Sequence, residues 1–308
     1  MKRVLMLFGL MMAGLVILQA QETKRPAFYA NASWSPDGSK ILFESTRDGK
    51  YNLFTIRPDG SDLRKLSTGE TNDEQPRWSG DGRQIVFISD RDGHLQLYLM
   101  NADGSQQRRL TTSEDVDYQP DFSFKGDQVA FVSRPNQPIA NHDIYIIRTG
   151  GTQRKRLTDQ TGDCGSPRWS PDGKTILFVR GMLLKKSRRD MSKEEVDQMR
   201  SSQDIFRMNA DGSNLKNLTN NNVRDSTPVW AADGKTIYFS SDRDGAPYVY
   251  TMDPDGSNVR KIADANTVSA PNISPDGKYF TYAKQVNGKT GVYSFDLKSG
   301  QERLLIGG

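Results

Sequence analysis

A five-residue pattern returns six times along the chain, and it restricts the fold more than any other feature. Trp34-Ser35-Pro36-Asp37-Gly38 recurs as Trp78-Ser79-Gly80-Asp81-Gly82 and Trp169-Ser170-Pro171-Asp172-Gly173. Weaker copies are Phe122-Ser123-Phe124-Lys125-Gly126, Trp230-Ala231-Ala232-Asp233-Gly234 and Ile273-Ser274-Pro275-Asp276-Gly277. The repeat glycines at 38, 82, 126, 173, 234 and 277 are separated by 44, 44, 47, 61 and 43 residues. Each copy then follows one order, seen first as the alternating run Lys40-Ile41-Leu42-Phe43-Glu44-Ser45, the turn Arg47-Asp48-Gly49 and a second run from Tyr51 to Ile56. A turn at Asp59-Gly60-Ser61 and a short run Leu63-Arg64-Lys65-Leu66 end the unit. Alternation with period two between Asp-Gly turns predicts antiparallel hairpins, because glycine accepts the positive φ that tight connections between twisted strands require.

Four strands in roughly 44 residues match the period of a propeller blade. The predicted fold is therefore all-β: a six-bladed β-propeller of four-stranded antiparallel blades. Helical repeats are excluded because no unit carries a helical period outside one insertion, and a sandwich would not repeat a fixed set of turns. An open arc would expose two apolar sheets, so the ring is expected to close. The last unit has its own fourth strand, Arg303-Leu304-Leu305-Ile306, so the ends can pack blade against blade. Whether residues 26–30 add a closing strand is left open by the sequence.

The first twenty residues differ in kind. Lys2 and Arg3 precede an uncharged apolar stretch from Val4 to Leu18, and Ala20 offers a small residue for cleavage. This reads as a secretory signal peptide over 1–20; the stretch falls short of the roughly 20 residues of a spanning helix. Residues 21–30 form a lead-in and 31–308 the propeller, with an insertion at 182–202. The expected product is periplasmic or secreted, monomeric, and without a stable membrane span after cleavage. Cys164, the single cysteine, has no partner for an internal disulfide and reads as a small loop residue. A net charge of +4 from 42 basic and 38 acidic residues, mostly interleaved, gives no nucleic-acid footprint.

These repeats, with Asn209-Ala210-Asp211-Gly212-Ser213 and Arg108-Arg109-Leu110-Thr111, closely resemble the TolB-like propeller repeat over nearly the whole chain from Asn31 to Ile306. The resemblance implies a periplasmic propeller that docks envelope proteins, as in the Tol system, or a relative of the non-catalytic propellers of oligopeptidases. It covers the propeller portion only. TolB itself carries an α/β domain ahead of its propeller, whereas about ten residues separate the expected cleavage point from the first blade here.

The Asp-Gly pairs at Asp37, Asp48, Asp59, Asp103, Asp211, Asp244 and Asp255 are spread among the blades, which favours turn chemistry over converging calcium loops. Trp34, Trp78, Phe122, Trp169 and Trp230, fixed in place in each blade, read as packing between blades in preference to a stacking platform. His94 and His142 lie in different blades and read as surface residues. No metal constellation, nucleophile elbow, phosphate loop or zinc-protease helix occurs, and no cofactor is expected.

Two departures from the repeat mark a candidate binding face. Loops leading into the innermost strands carry Asp73, Glu74, Asp117, Tyr118 and Asp225 ahead of Pro76, Pro120, Pro167 and Pro228, and Arg77, Asp121 and Arg168 just after those prolines. Strand order puts them near one mouth of the channel, where mixed charges can receive a peptide or polar ligand; solvated loops with salt bridges to neighbouring blades are the alternative. In the insertion, Lys185, Lys186, Arg188 and Arg189 form a basic cluster, and Ser192-Lys193-Glu194-Glu195 resembles a capping box that predicts a helix from Lys193 to about Arg200. The function expected first is a protein- or peptide-binding module of the cell envelope. The alternatives are an exported polysaccharide lyase or hydrolase using loop carboxylates such as Glu74 and Asp117, and a structural subunit of an envelope assembly.

Overall fold

The computed structural model describes residues 26–137, 140–186, 188–263 and 272–307; the expected signal peptide and residues 21–25 lie outside the described residues. The chain forms six four-stranded antiparallel sheets, each built from one continuous stretch. Blade one holds β1 (Tyr29–Trp34), β2 (Ile41–Asp48), β3 (Lys50–Ile56) and β4 (Arg64–Lys65). Blade two holds β5 (Asp73–Trp78), β6 (Gln84–Ser89), β7 (Gln96–Asn101) and β8 (Arg108–Arg109). Blade three follows with β9 (Val116–Phe122), β10 (Gln128–Arg134), β11 (Asp143–Arg148) and β12 (Lys155–Arg156). Blade four has β13 (Asp163–Trp169), β14 (Thr175–Gly181), β15 (Asp204–Asn209) and β16 (Lys216–Asn217). Blade five has β17 (Asp225–Trp230), β18 (Ile237–Ser241), β19 (Tyr248–Met252) and β20 (Arg260–Ala263). Blade six ends the chain with β21 (Asn272–Ile273), β22 (Tyr279–Val286), β23 (Lys289–Asp296) and β24 (Glu302–Gly307).

The repeated pentapeptide builds the turn from the first to the second strand of a blade. In blade one the Ser35 hydroxyl donates to Asp37 Oδ1 at 2.6 Å, which also accepts the Ser39 amide at 3.0 Å, and Gly38 takes φ of 70°. These bonds hold the Asp37 carboxyl below its ordinary range. The carboxylate is thus spent on its own turn, as at Asp81, Asp172 and Asp276.

Aromatic residues face each other across the second and third strands of every blade: Phe43 with Phe54, Phe87 with Tyr98, Phe131 with Tyr145, Phe178 with Phe206, Phe239 with Tyr250 and Tyr282 with Tyr293. Such cross-strand pairs fix register, and burial of each ring stabilises the fold by about 2–3 kcal/mol. The pentapeptide aromatics pack between blades. Trp78 meets Leu42 and Leu53 of blade one, Trp169 joins the core that includes Val132 and Ile144 of blade three, and Trp230 packs in the core containing Leu177 of blade four.

Closure needs no shared strand. Tyr29 and Ala32 share a core with Val292 and Leu305 of blade six, the Tyr29 amide donates to Thr290 Oγ1 at 2.9 Å, and the Trp34 amide donates to Asn272 Oδ1 at 3.0 Å. The insertion forms one 3-10 turn at Arg188–Asp190 and helix α1 (Lys193–Ser201), whose capping box joins Ser192 and Glu195. Leu184 and Met199 are its buried anchors, and the Leu184 amide donates to Asn141 Oδ1 of blade three at 2.7 Å.

Candidate functional site

The innermost strands bend where they meet the channel. In β1, β5, β9, β13 and β17 the pairing with the next strand slips, and at each slip a non-glycine residue takes a left-handed φ of 51° or 52°: Asn31, Gln75, Gln119, Ser166 and Thr227. That conformation costs about 1–3 kcal/mol at each residue and persists only where the surroundings enforce it. A bulge also turns an amide out of its ladder, and that amide needs another acceptor. The neighbouring blade provides it. Ser166 N–H donates to Gln119 Oε1 at 2.7 Å, Gln119 N–H to Gln75 Oε1 at 2.8 Å, and Gln75 N–H to Glu44 Oε2 at 2.6 Å. Asn31 Nδ2 completes the relay by donating to Glu44 Oε1 at 3.0 Å. Ser166 carries its oxygen one carbon from the backbone and is too short to reach blade five in the same way.

The relay borders a cavity of about 380 Å³ whose lining includes Phe28, Tyr51, Glu44, Glu74, Arg77 and Arg168. Phe28 and Tyr51 meet edge to face with centroids 6.1 Å apart. Burial pushes the Glu44 carboxyl up, opposed by its two donors and by the Arg77 charge. Glu74 is pushed up to about 7 by burial, then by the charges of Glu44, Asp90 and Asp73. Opposite them, burial and then the neighbouring Arg168 charge lower Arg77 to about 9. Burial also lowers Arg168, against the pull of Asp121. Asp121 lies between the two arginines in blade order; burial raises its carboxyl, Arg168 and Arg77 oppose the rise, and its Oδ2 accepts the Trp169 amide at 2.8 Å. The site thus sets two carboxylates beside two guanidiniums around one opening.

Of the residues expected near the mouth, Glu74, Arg77 and Arg168 line this cavity, with Asp121 beside them. Asp73, Asp117 and Asp225 do not. Each is fully buried at the start of its innermost strand and ion-paired inside its blade, with Arg91 at 3.0 Å, Arg154 at 3.2 Å and Arg243 at 3.2 Å respectively. These carboxylates cannot reach a ligand because the repeat spends them on the blade.

Tyr118 points its ring edge to face against His142, 5.7 Å away. His142 is not a surface residue: its Nδ1 lies 2.5 Å from Asp163 Oδ1 of the next blade, and its side chain is only 14% exposed. Cys164 likewise is no loop residue. It sits buried in β13, opposite Arg180, with its thiol pushed up to about 12 by burial. On the insertion, Lys185 and Arg189 are exposed and Lys186 pairs with Glu195 at 2.8 Å, while Arg188 opens the 3-10 turn. None of the cavity-lining residues belongs to the insertion. Just after the insertion, Gln203 O accepts the Asp225 amide of blade five at 2.9 Å.

Glu44, Asn31, Gln75, Gln119, Phe28 and Tyr51 were not singled out from the sequence. A signal for Glu44 existed: the matching residues of the other blades are Ile88, Val132, Val179, Ser240 and Ala283.

The family described as TolB beta propeller domain matches residues 19–142 and 195–308. An uncharacterised protein of Agrobacterium fabrum is 33% identical over 154 residues, covering 46% of this chain and 47% of that protein. The uncharacterised peptidase YuxL of Bacillus subtilis is 32% identical over 114 residues, covering 36% of this chain and 16% of its own. The chain therefore spans less than half the length of these curated relatives. Among solved structures, TolB from Acinetobacter baumannii superposes with a TM-score of 0.67 at 20% identity, covering 90% of this chain and 62% of that one, a likeness of fold. Six phased repeats, six closed blades and a match over most of its length establish that this chain belongs to the TolB beta-propeller domain family.

Proposed function

We propose that the protein is an exported, periplasmic or secreted, module that binds a protein or peptide of the cell envelope at the mouth of its channel. The carrying observation is the cavity of about 380 Å³, where Glu44 and Glu74 stand beside Arg77 and Arg168 and the Phe28–Tyr51 ring pair offers apolar surface. Charged groups held by a rigid scaffold around a concave opening are suited to orient a polar chain. The resemblance to TolB in fold and family is consistent with such a role. The insertion at 182–202 stands on the same side and extends the available surface with a basic cluster.

Capture from envelope extract by the wild type, by a variant lacking 182–202, and by Arg77→Glu and Arg168→Glu variants tests the reading. Circular dichroism of each variant checks the fold. Loss of a reproducible partner with the arginine changes is expected. Capture of nothing, or capture indifferent to every change on this side, would sink it.

A second reading rests on Glu74 alone, since a carboxyl held at about 7 is poised to exchange protons near neutral pH. It would make the protein a lyase or hydrolase, and one relative is named a peptidase. Asp117, the other carboxylate expected to serve, is buried against Arg154 and drops out. Turnover in a glycan and peptide screen, abolished by Glu74→Gln, would favour this reading over binding alone.

A further inference from the structure

We propose that Arg77 and Arg168 form an anchor for a carboxylate of the bound peptide, supplied by its free C-terminus or by an Asp or Glu side chain. The inference deepens the peptide-binding reading and rests on it.

The two arginines occupy the same place in blades two and four, immediately after the left-handed residue and proline, and they are held in the same pose. Arg77 Nη1 donates to Pro76 O at 2.9 Å, and Arg168 Nη1 donates to Pro167 O at 2.9 Å. Each guanidinium is thereby clamped to its own strand, so little side-chain freedom remains to be lost when an anion arrives. Both line the cavity.

The acidic group between them does not satisfy them. Asp121 fills the equivalent place in blade three, but its Oδ2 accepts the Trp169 amide and its Oδ1 stands 4.0 Å from Arg168. Among the described residues, the bond to Pro76 O is the one hydrogen bond made by the Arg77 side chain, and its Nε is enclosed without a partner. A largely desolvated cation with unspent donors is costly unless an anion completes it. The repulsion between the two guanidiniums points the same way.

A carboxylate fits better than a phosphate. Its two oxygens match the planar fork of a guanidinium, as two phosphate oxygens also do, so charge decides between them. Glu44, Glu74 and Asp121 nearby would repel a dianion more strongly than the single charge of a carboxylate. They also favour a ligand whose basic groups lie behind its carboxylate.

The test titrates the 15N-labelled full chain with N-acetylglycine, N-acetylglycinamide and inorganic phosphate, following the arginine Nε–H resonances and the heat of binding. N-acetylglycine is expected to shift the Arg77 signal and to bind at least about tenfold more tightly than the amide, the factor lost with one charge-assisted hydrogen bond. Arg77→Gln and Arg168→Gln should each weaken it by a similar factor. Equal binding of acid and amide, or tighter binding of phosphate, overturns the anchor; this comparison uses the wild type and survives a variant that fails to fold. Three peptide pools then separate the sources: free C-termini without acidic residues, amidated C-termini without acidic residues, and amidated C-termini with Asp or Glu. Peptides that bind equally from all three pools remove the anchor and leave the peptide reading standing. Binding of N-acetylglycine over the amide with no peptide bound keeps the anchor and removes the peptide reading.

Discussion

Replacing Asp225 with Ala is expected to lower the stability of the propeller by about 3 kcal/mol. The Asp225 carboxylate is fully buried and accepts from Arg243 Nη2 at 3.2 and 3.4 Å and from Asn221 Nδ2 at 2.6 Å. Arg243 is fixed in turn. Its Nε donates to Ser241 Oγ at 2.8 Å, and its guanidinium lies 4.8 Å from the Tyr250 ring centroid and 5.4 Å from that of Phe239. Removing the carboxylate strands a cation over two rings, and breaking a buried pair from one side costs about 3–5 kcal/mol. The remaining 27% exposure of the Arg243 side chain and its ring contacts, worth about 1 kcal/mol, place this site at the low end. With about 2.1 cal/mol/K of unfolding entropy per residue, Tm should fall by about 5 °C. Calorimetry on Asp225→Ala, Arg243→Met and the double variant should give a coupling of about 2 kcal/mol. Arg64→Ala serves as a control: it opens a pair with Asp62 at 2.9 Å whose arginine is 64% exposed, and it should cost about 0.5 kcal/mol or less. A Tm change under about 1 °C for Asp225→Ala, or a coupling no larger than the control effect, would refute the assignment of this carboxylate to the blade.

Gly256→Ala should cost about 2–3 kcal/mol, because its φ is +91° and a Cβ there would lie 2.5 Å from Leu218 O of the preceding blade. Gly245→Ala, also at positive φ but with open space around it, should cost about 1 kcal/mol; equal losses in urea melts would disprove the close contact between blades. Glu74, raised by burial, is least at home when ionised, so its contribution favours the fold below its ordinary value of 4.5 and fades as pH rises through about 7. Glu74→Gln should therefore flatten stability against pH in that window and exceed the wild type at pH 8. Cys164, buried with its thiol raised to about 12, should resist iodoacetamide at pH 8 until the chain unfolds; rapid labelling of native protein would contradict its placement. Replacing 182–202 by a tight turn should leave the melting temperature within a few degrees, since Leu184 and Met199 are its buried apolar residues; collapse of the propeller would show that the insertion carries the fold.

The ring, the strand order within each blade and the capped helix of the insertion were legible because each is encoded locally. Period-two runs make strands, Asp-Gly pairs make turns, and Ser192 with Glu195 makes a helix start. The channel relay was not legible in the same way. The sequence places a proline after Gln75, Gln119, Ser166 and Thr227, but nothing local requires a left-handed φ ahead of a proline. At Gln75, Gln119 and Ser166 that conformation is held by bonds from side chains 31 to 47 residues away, such as Glu44 to Gln75 and Gln119 to Ser166.

The misplaced carboxylates show how a repeat should be read for function. Asp73, Asp117 and Asp225 occupy one repeat position and face Ser89, Ser133 and Ser241 across the first strand pair. Blade four has Cys164 opposite Arg180 there, and blade one has Tyr29 opposite Ser45. A carboxylate that recurs in three blades with the same buried serine and arginine partners belongs to the internal structure of the blade. Glu44 does the opposite, since it puts a charge where the other blades carry Ile88, Val132, Val179, Ser240 and Ala283. Arg77, Asp121 and Arg168 likewise share a position with Ser33, Val229 and Asn272. A burden of burial accepted in some blades and not in their copies is not required by the common architecture, even where, as at Glu44 and Asp121, the carboxylate also accepts a neighbouring amide. The residues that break the repeat while facing the channel are therefore the ones on which the proposed binding role draws.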